Sequence, residues 1–198
     1  TPFNKIQRTQ EFGARVVLHG DSLVEAMAHT HAMIRAHGYT FIHPFDDDTV
    51  IAGQGTLGIE MMEQRADLDC VVVPIGGGGL ISGVATAVKG MNPDIEVIGV
   101  QADLYAGVKE RLDGFDTPHS GPTIAEGIAV KEPAERTMQI IRDKVDRIDT
   151  VSENEIEEAI FTFLSSEKLV VEGAAGAGLA AIMKHKDYFR GRNVGLVV

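Results

Sequence analysis

The sequence predicts an α/β protein with a mostly parallel sheet that is covered by helices on both faces. Strand-like apolar segments alternate with helix-like segments, and this alternation is typical of parallel strands joined by helical crossovers. Residues 71–73, all valine, are apolar at successive positions, as a strand buried on both faces requires. Ser152 is followed by acidic residues at positions 153 and 155, which indicates the N-terminus of a helix.

The predicted elements alternate in chain order, with apolar runs as strands and the segments that follow capping residues as helices. Strands are expected at residues 14–18, 39–43, 68–75, 95–101, 147–151 and 193–198. Helices are expected at residues 22–36, 50–64, 80–89, 133–144, 153–165 and 173–184, with Asp21 or Ser22 capping the first. Residues 113–122 are polar and rich in Gly, Pro and Asp, and they are expected to form a loop.

The composition excludes several classes of protein. The chain has 198 residues, enough for one sizeable domain and part of a second, and its net charge of −11 argues against nucleic acid or an anionic membrane as partner. No apolar stretch approaches membrane-spanning length and no signal peptide is evident, so a cytoplasmic protein is expected. The single cysteine, Cys70, lies in a predicted strand and is expected to be a core residue rather than a nucleophile.

The most informative segment follows the predicted strand at residues 68–75 and consists of Gly76, Gly77, Gly78, Gly79 and Leu80. We call residues 76–80 the glycine loop. Without β-carbons the backbone can close on a ligand, and the next helix adds partial positive charge, so the loop predicts a phosphate site. The alternative is close packing of a helix on a strand, but each glycine costs about 0.5–1 kcal/mol relative to alanine. The loop has neither the P-loop nor the G-x-G-x-x-G signature.

Other motifs have both a structural and a functional interpretation. Residues 53–58 match G-x-G-x-x-G, but no strand precedes them, which favours close helix packing over dinucleotide binding. Residues 46–48, all aspartate, are expected to cap the next helix rather than to bind a cation. Glu126 and Glu172 each precede a glycine, and each is either a helix cap or a carboxylate delivered to a pocket at the carboxyl edge of the sheet.

Taken in chain order, these motifs resemble one family. The segments that carry the resemblance are HPFD at 43–46, IAGQGT at 51–56, VPIGGGGL at 73–80, AEG at 125–127 and VEG at 171–173. They are similar in order and spacing to the pyridoxal-phosphate-dependent threonine/serine dehydratases, with serine racemases as close relatives. The resemblance implies the β-family pyridoxal-phosphate fold. Residues 1–43 would be the remainder of its small α/β domain, and residues 44–198 its large cofactor-binding domain.

The resemblance also implies roles for individual residues. The glycine loop would hold the phosphate of the pyridoxal phosphate cofactor, and Glu172 would lie near the pyridoxal ring. Glu126 would lie near a site for a monovalent or divalent cation. Phe45 would line the substrate pocket, and it favours a dehydratase because some racemases have a polar residue at this position. The partners implied are a small-molecule amino acid substrate and further copies of the chain in a homo-oligomer.

The implied reaction converts L-threonine or L-serine to a 2-oxo acid and ammonia. It depends on a lysine in a Ser-x-Lys motif that forms the Schiff base with the cofactor. The family carries this motif in an initial segment, followed by a Ser-Gly-Asn-His-like loop for the substrate carboxylate, and neither precedes the motifs above in residues 1–198. Residues 195–198 stop just before a Ser/Cys-Gly-Gly-Asn-like turn of the family, so both ends of the chain are expected to be cut and no catalytic residue is assigned. The large domain would lack its N-terminal part and its final turn.

Dehydratase activity is therefore not expected from this chain alone. Three alternatives remain open. The first is a serine racemase-like or β-replacement enzyme on the same scaffold. The second is a catalytically dead anion-binding module, and the third is a nucleotide-binding domain that uses residues 53–58.

Overall fold

A computed structural model describes residues 3–21, 23–115 and 117–198, apart from the side chains at positions 4, 23 and 24. Ser22, which is one of the two predicted caps of the first predicted helix, lies outside the described residues. The chain divides into two compact units, Thr1–Ile42 and His43–Val198. The interpretation of residues 1–43 and 44–198 as parts of a small and a large domain stays a prediction.

The described residues of the first unit form two helices, α1 (Phe3–Glu11) and α2 (Leu23–His37). Helix α2 was expected from the sequence, whereas α1 was not. The predictions of strands at residues 14–18 and 39–43 are wrong, because both segments are irregular in the structure. A strand needs a neighbour to satisfy its backbone hydrogen bonds, and the described residues of this unit form no strand that could serve as one.

The second unit alternates helices and strands as the sequence predicts. In chain order its elements are α3 (Asp48–Gln64), β1 (Cys70–Pro74), α4 (Gly79–Met91), β2 (Glu96–Ala102), α5 (Gly107–Leu112), α6 (Glu135–Lys144), β3 (Arg147–Val151), α7 (Glu153–Thr162), α8 (Gly173–Lys184), α9 (Lys186–Phe189) and β4 (Val194–Leu196). Short 3₁₀ turns occur at Asp103–Tyr105 and Glu126–Ile128, and α7 continues into a π-helical turn at Phe163–Glu167.

The four strands form one parallel sheet in the order β3-β2-β1-β4. Alternate residues of β1 point to opposite faces, as the period of a strand requires. Cys70 and Val72 belong to the core formed with α7 and α8, whereas Val71 and Val73 belong to the core formed with α4 and α6. The prediction of a parallel sheet with helices on both faces is therefore confirmed.

Two helix starts follow the predicted capping chemistry. The Asp47 carboxylate accepts hydrogen bonds from the N–H groups of Thr49 and Val50, so the aspartate run caps α3 as expected. Ser152 and Glu155 form a capping box at α7, in which each side chain accepts the backbone N–H of the other residue. Among the described residues, no helix is long and apolar enough to cross a membrane.

Candidate functional site

The glycine loop lies where the central strand β1 ends and α4 begins. All five residues of β1 are buried, and the N–H of Ile75 still donates to the carbonyl of Val100 in β2, at 2.7 Å. Gly78 occupies the N-cap position of α4 with φ +89°, a left-handed conformation that glycine adopts without strain. No side chain caps this helix. The parallel sheet thus presents the start of α4 at its carboxyl edge, where open α/β sheets bind their ligands.

The backbone N–H groups of residues 76–81 share one property: none donates to an acceptor within residues 3–21, 23–115 and 117–198. The first N–H beyond them that is paired is that of Ser82, which donates to the Gly78 carbonyl at 3.0 Å. Four of these six residues are buried. Residues 78–81 carry the N–H groups that the start of any helix leaves without a partner inside the helix, and Gly76 and Gly77 extend this run of donors into the loop. Such a run of donors fits a bound anion such as phosphate.

Close packing against neighbouring segments also requires glycine in the loop. A β-carbon on Gly77 would overlap the ring of Phe45, and a β-carbon on Gly79 would lie 2.9 Å from the Phe45 carbonyl oxygen. A β-carbon on Gly76 would lie 3.0 Å from Cα of Ile128. These contacts explain why side chains are absent from the loop, but they do not use its N–H groups. Close packing therefore explains the glycines, and anion binding explains the unpaired N–H groups, so the loop can serve both purposes.

Phe45, the residue expected to line the substrate pocket, lies directly against the glycine loop. Its ring meets the His43 ring edge-on at 4.7 Å between centroids. The His43 Nδ1 atom accepts the N–H of Asp46 at 2.8 Å, which holds the turn before α3. The structure thus makes Phe45 a wall of the loop, and its role toward a substrate stays a prediction.

The two Glu-Gly motifs pack against each other beside the loop. Gly173, the first residue of α8, lies in close contact with the carbonyl of Ile124. A β-carbon on Gly127 would lie 2.7 Å from Oε1 of Glu172, and one on Gly76 would lie 3.3 Å from the Gly127 carbonyl oxygen. Glu172 occupies the N-cap position of α8, yet its side chain makes no capping hydrogen bond. Its carboxylate instead faces the segment that contacts the loop.

Glu126 begins the 3₁₀ turn beside Gly127, and the segment before it is anchored by a residue that sequence reasoning missed. The Glu153 carboxylate accepts hydrogen bonds from Thr123 Oγ1 at 2.7 Å and from the Ile124 N–H at 2.8 Å. The only sequence signal was an acid in the first turn of α7, which indicated a helix start. The described part of the chain contains no group of three or more His, Cys, Asp or Glu residues suited to a metal, and the cation role of Glu126 stays a prediction.

The remaining motifs have structural roles. Residues 53–58 lie inside α3, where a β-carbon on Gly55 or Gly58 would come within 3.1 or 3.0 Å of carbonyl oxygens of α4. The interpretation as close helix packing is thus confirmed. Cys70 is fully buried, and burial raises the pKa of its thiol, as expected for a core residue rather than a nucleophile.

Two pockets lie away from the glycine loop. One of about 420 Å³ lies at the amino ends of β1 and β4, where Leu68 and Val194 line it. Another of about 130 Å³ lies between α5 and the start of β3. The larger pocket is at the edge of the sheet opposite to the one where open α/β sheets bind ligands. The glycine loop, at the carboxyl edge of the sheet, is therefore the candidate site.

Comparison with known proteins supports a common origin for these motifs. Residues 1–198 match the family described as pyridoxal-phosphate dependent enzyme. The chain is 43% identical over 205 aligned positions to the L-threonine ammonia-lyase of Thermotoga maritima, which covers 100% of this chain and 49% of that protein. It spans about half the length of the curated relatives it matches.

Solved structures show the same similarity. The processed form of threonine deaminase isoform 2 from Solanum lycopersicum superposes with a TM-score of 0.88 at 32% identity, over 98% of this chain and 54% of that chain. Serine racemase from Dictyostelium discoideum superposes with a TM-score of 0.88 at 33% identity, over 100% of this chain and 64% of that chain. The family resemblance read from the motifs is confirmed, and the chain belongs to the family of pyridoxal-phosphate dependent enzymes.

Proposed function

We propose that this chain holds the cofactor phosphate in a pyridoxal-phosphate-dependent ammonia-lyase that converts L-threonine or L-serine to a 2-oxo acid and ammonia. The observation that carries the proposal is the run of unpaired N–H groups at residues 76–81. It occurs in a chain that is 43% identical to a relative named L-threonine ammonia-lyase. In this proposal residues 44–198 belong to the large cofactor-binding domain.

The residues present fit the phosphate end of the cofactor. The loop amides would donate to the phosphate oxygens, and the N-terminus of α4 would add its partial positive charge without a competing side-chain cap. The carboxylate of Glu172, which lies beside Gly127, would face the ring end of the same ligand. Phe45 would cover one side of the loop and exclude water from it. Bound pyridoxal phosphate supplies an electron sink for the charge left when the α-proton of the substrate departs.

The proton-transfer and covalent roles are not assigned to residues 1–198. Among the lysines of this chain, at positions 5, 89, 109, 131, 144, 168, 184 and 186, only Lys168 has a serine two positions before it. Its Nζ donates to the Ser165 carbonyl in the π-helical turn that follows α7. Other lysines are already engaged: Lys89 pairs with Asp146 at 2.7 Å, and Lys109 with Asp113 at 2.6 Å. We expect these 198 residues, incubated with L-threonine and pyridoxal phosphate, to form no 2-oxobutyrate above the blank. Measurable 2-oxobutyrate would overturn this assignment.

Binding of a cofactor analogue tests the phosphate site directly. Pyridoxamine phosphate and pyridoxamine carry no aldehyde, so neither reacts with surface lysines, and they differ only in the phosphate group. We expect the phosphate form to bind at least tenfold more tightly, about 1.4 kcal/mol, and inorganic phosphate to compete with it. Equal affinities would refute a phosphate site. The control variant is Gly90→Ala, at an exposed position of α4 away from the loop, which should bind like the wild type.

A serine racemase-like activity is the second candidate, favoured by the similarity to the racemase from Dictyostelium discoideum. The two candidates predict different products from L-serine. In the protein that contains this chain, a dehydratase yields pyruvate and ammonia, whereas a racemase yields D-serine. Chiral chromatography together with a pyruvate assay separates them.

A further inference from the structure

Thr137 links three segments of the candidate site from a fully buried position in the first turn of α6. Its Oγ1 donates to the Gly77 carbonyl at 2.8 Å, and its N–H donates to Oδ1 of Asp46 at 3.1 Å. The Ala134 carbonyl is also within reach of Oγ1, at the longer distance of 3.2 Å. The hydroxyl therefore has a second acceptor at the N-cap residue of its own helix and still makes its shorter contact with the glycine loop.

The contact with the Gly77 carbonyl controls the direction of one loop donor. In a planar trans peptide the C=O and the following N–H point in opposite directions, and the described residues contain no cis peptide. A Gly77 carbonyl held toward Thr137 therefore directs the Gly78 N–H away from α6. This N–H is one of the unpaired donors of residues 76–81.

The peptide between Gly77 and Gly78 needs such a restraint. Glycine on both sides allows rotation of this peptide into conformations that other residues avoid. Contact restrains it as well, since a β-carbon on Gly78 would lie 3.0 Å from Cβ of Thr137 and 2.9 Å from Cδ1 of Ile141. Packing limits the position of Gly78, but the hydroxyl is what holds the orientation of the carbonyl.

We infer that Thr137 is a positioning residue for the phosphate: its hydroxyl holds the Gly77 carbonyl and thereby aims the Gly78 N–H at the anion. This inference rests on the proposed function of the loop. Loss of the hydroxyl leaves the buried carbonyl without its partner in α6, and the peptide is then free to rotate its N–H away from the anion.

Matched variants separate this role from a purely structural one. Thr137→Val keeps the shape of the side chain and removes the hydroxyl, whereas Thr137→Ser keeps the hydroxyl. We expect T137V to weaken binding of pyridoxamine phosphate about tenfold, which corresponds to about 1.4 kcal/mol, and to change binding of pyridoxamine less than twofold. We expect T137S to bind both compounds like the wild type. Equilibrium dialysis with fluorescence detection of the ligand measures all of these affinities.

Each other outcome overturns the inference in a distinguishable way. Unchanged binding of pyridoxamine phosphate to T137V shows that the hydroxyl does not position the donor. An equal loss for both compounds shows a structural role alone. If T137V does not fold, Thr137→Ala and T137S form a second pair that differs only in the hydroxyl. Their affinities for pyridoxamine phosphate and pyridoxamine are then compared in the same way, with the same expected and contradicting outcomes. Equal affinity of the wild type for both compounds refutes the proposed phosphate site itself.

Discussion

The contact between Phe45 and the glycine loop predicts that two glycines respond differently to the same second substitution. A β-carbon on Gly77 would overlap ring atoms of Phe45, whereas one on Gly79 would lie 2.9 Å from Cβ and O of Phe45 and 3.0 Å from its Cα. Phe45→Ala removes the ring but keeps the β-carbon and the backbone. It should therefore relieve the Gly77→Ala clash and leave the Gly79→Ala clash in place.

The expected magnitudes follow from these contacts. Overpacking of this kind costs about 1–3 kcal/mol, and replacing glycine by alanine returns about 0.4–1 kcal/mol through the unfolded chain. We expect Gly77→Ala to lower the free energy of unfolding by about 1–2 kcal/mol. Its coupling energy with Phe45→Ala should be about 1–3 kcal/mol, because Phe45→Ala removes the three ring atoms that lie nearest to the added β-carbon. Gly79→Ala and Phe45→Ala should add to within about 0.5 kcal/mol.

Urea unfolding followed by circular dichroism gives these free energies for the wild type, the three single variants and the two double variants. The decisive quantity is the difference between the two coupling energies. The contradicting results are that Phe45→Ala recovers the free energy of unfolding of the Gly77→Ala and Gly79→Ala variants equally, or recovers neither. Either result would mean that the loop is not packed against Phe45 as described. Phe45 is then not the wall of the glycine loop.

The other predictions concern helix packing and capping, and urea unfolding measures each of them. Gly83→Ala should be strongly destabilising because the added β-carbon would overlap the backbone of α3. Gly90→Ala has open space around the added β-carbon and should stabilise the protein by up to about 1 kcal/mol. Equal effects of the two substitutions would contradict the close packing of α4 on α3. Ser152→Ala should cost about 1 kcal/mol, and no loss would exclude the capping box. Burial opposes ionisation of Glu155, but hydrogen bonds from the Ser152 N–H, from Lys184 and from the Ser152 hydroxyl outweigh it and lower its pKa. A carboxylate whose pKa is lower in the folded state stabilises the protein fully at pH values above its unfolded-state pKa. The difference in free energy of unfolding between the wild type and Glu155→Gln should therefore shrink as pH falls below about 4.5. A difference that stays constant with pH would contradict this assignment.

Much of the fold was predictable because it depends on local patterns. The apolar run at residues 71–73 indicated a strand buried on both faces, and Ser152 indicated a helix start; both predictions are confirmed. The strands expected at residues 14–18 and 39–43 are wrong, since an apolar run becomes a strand only where a neighbour pairs with it. The short helix α5 was missed because it has few of the periodic positions on which helix prediction depends.

Residue order alone was enough to identify the parallel sheet, the glycine loop and the family, because strand periodicity, glycine content and motif spacing can all be read within short stretches of chain. Only the folded chain reveals that Thr137 holds a loop carbonyl 60 positions away, that its N–H meets Asp46 across 91 positions, and that Glu153 anchors a segment 30 positions before it. Such contacts leave no periodic trace in the sequence. They exist because the packing of α6 and α7 against the sheet brings these distant segments together.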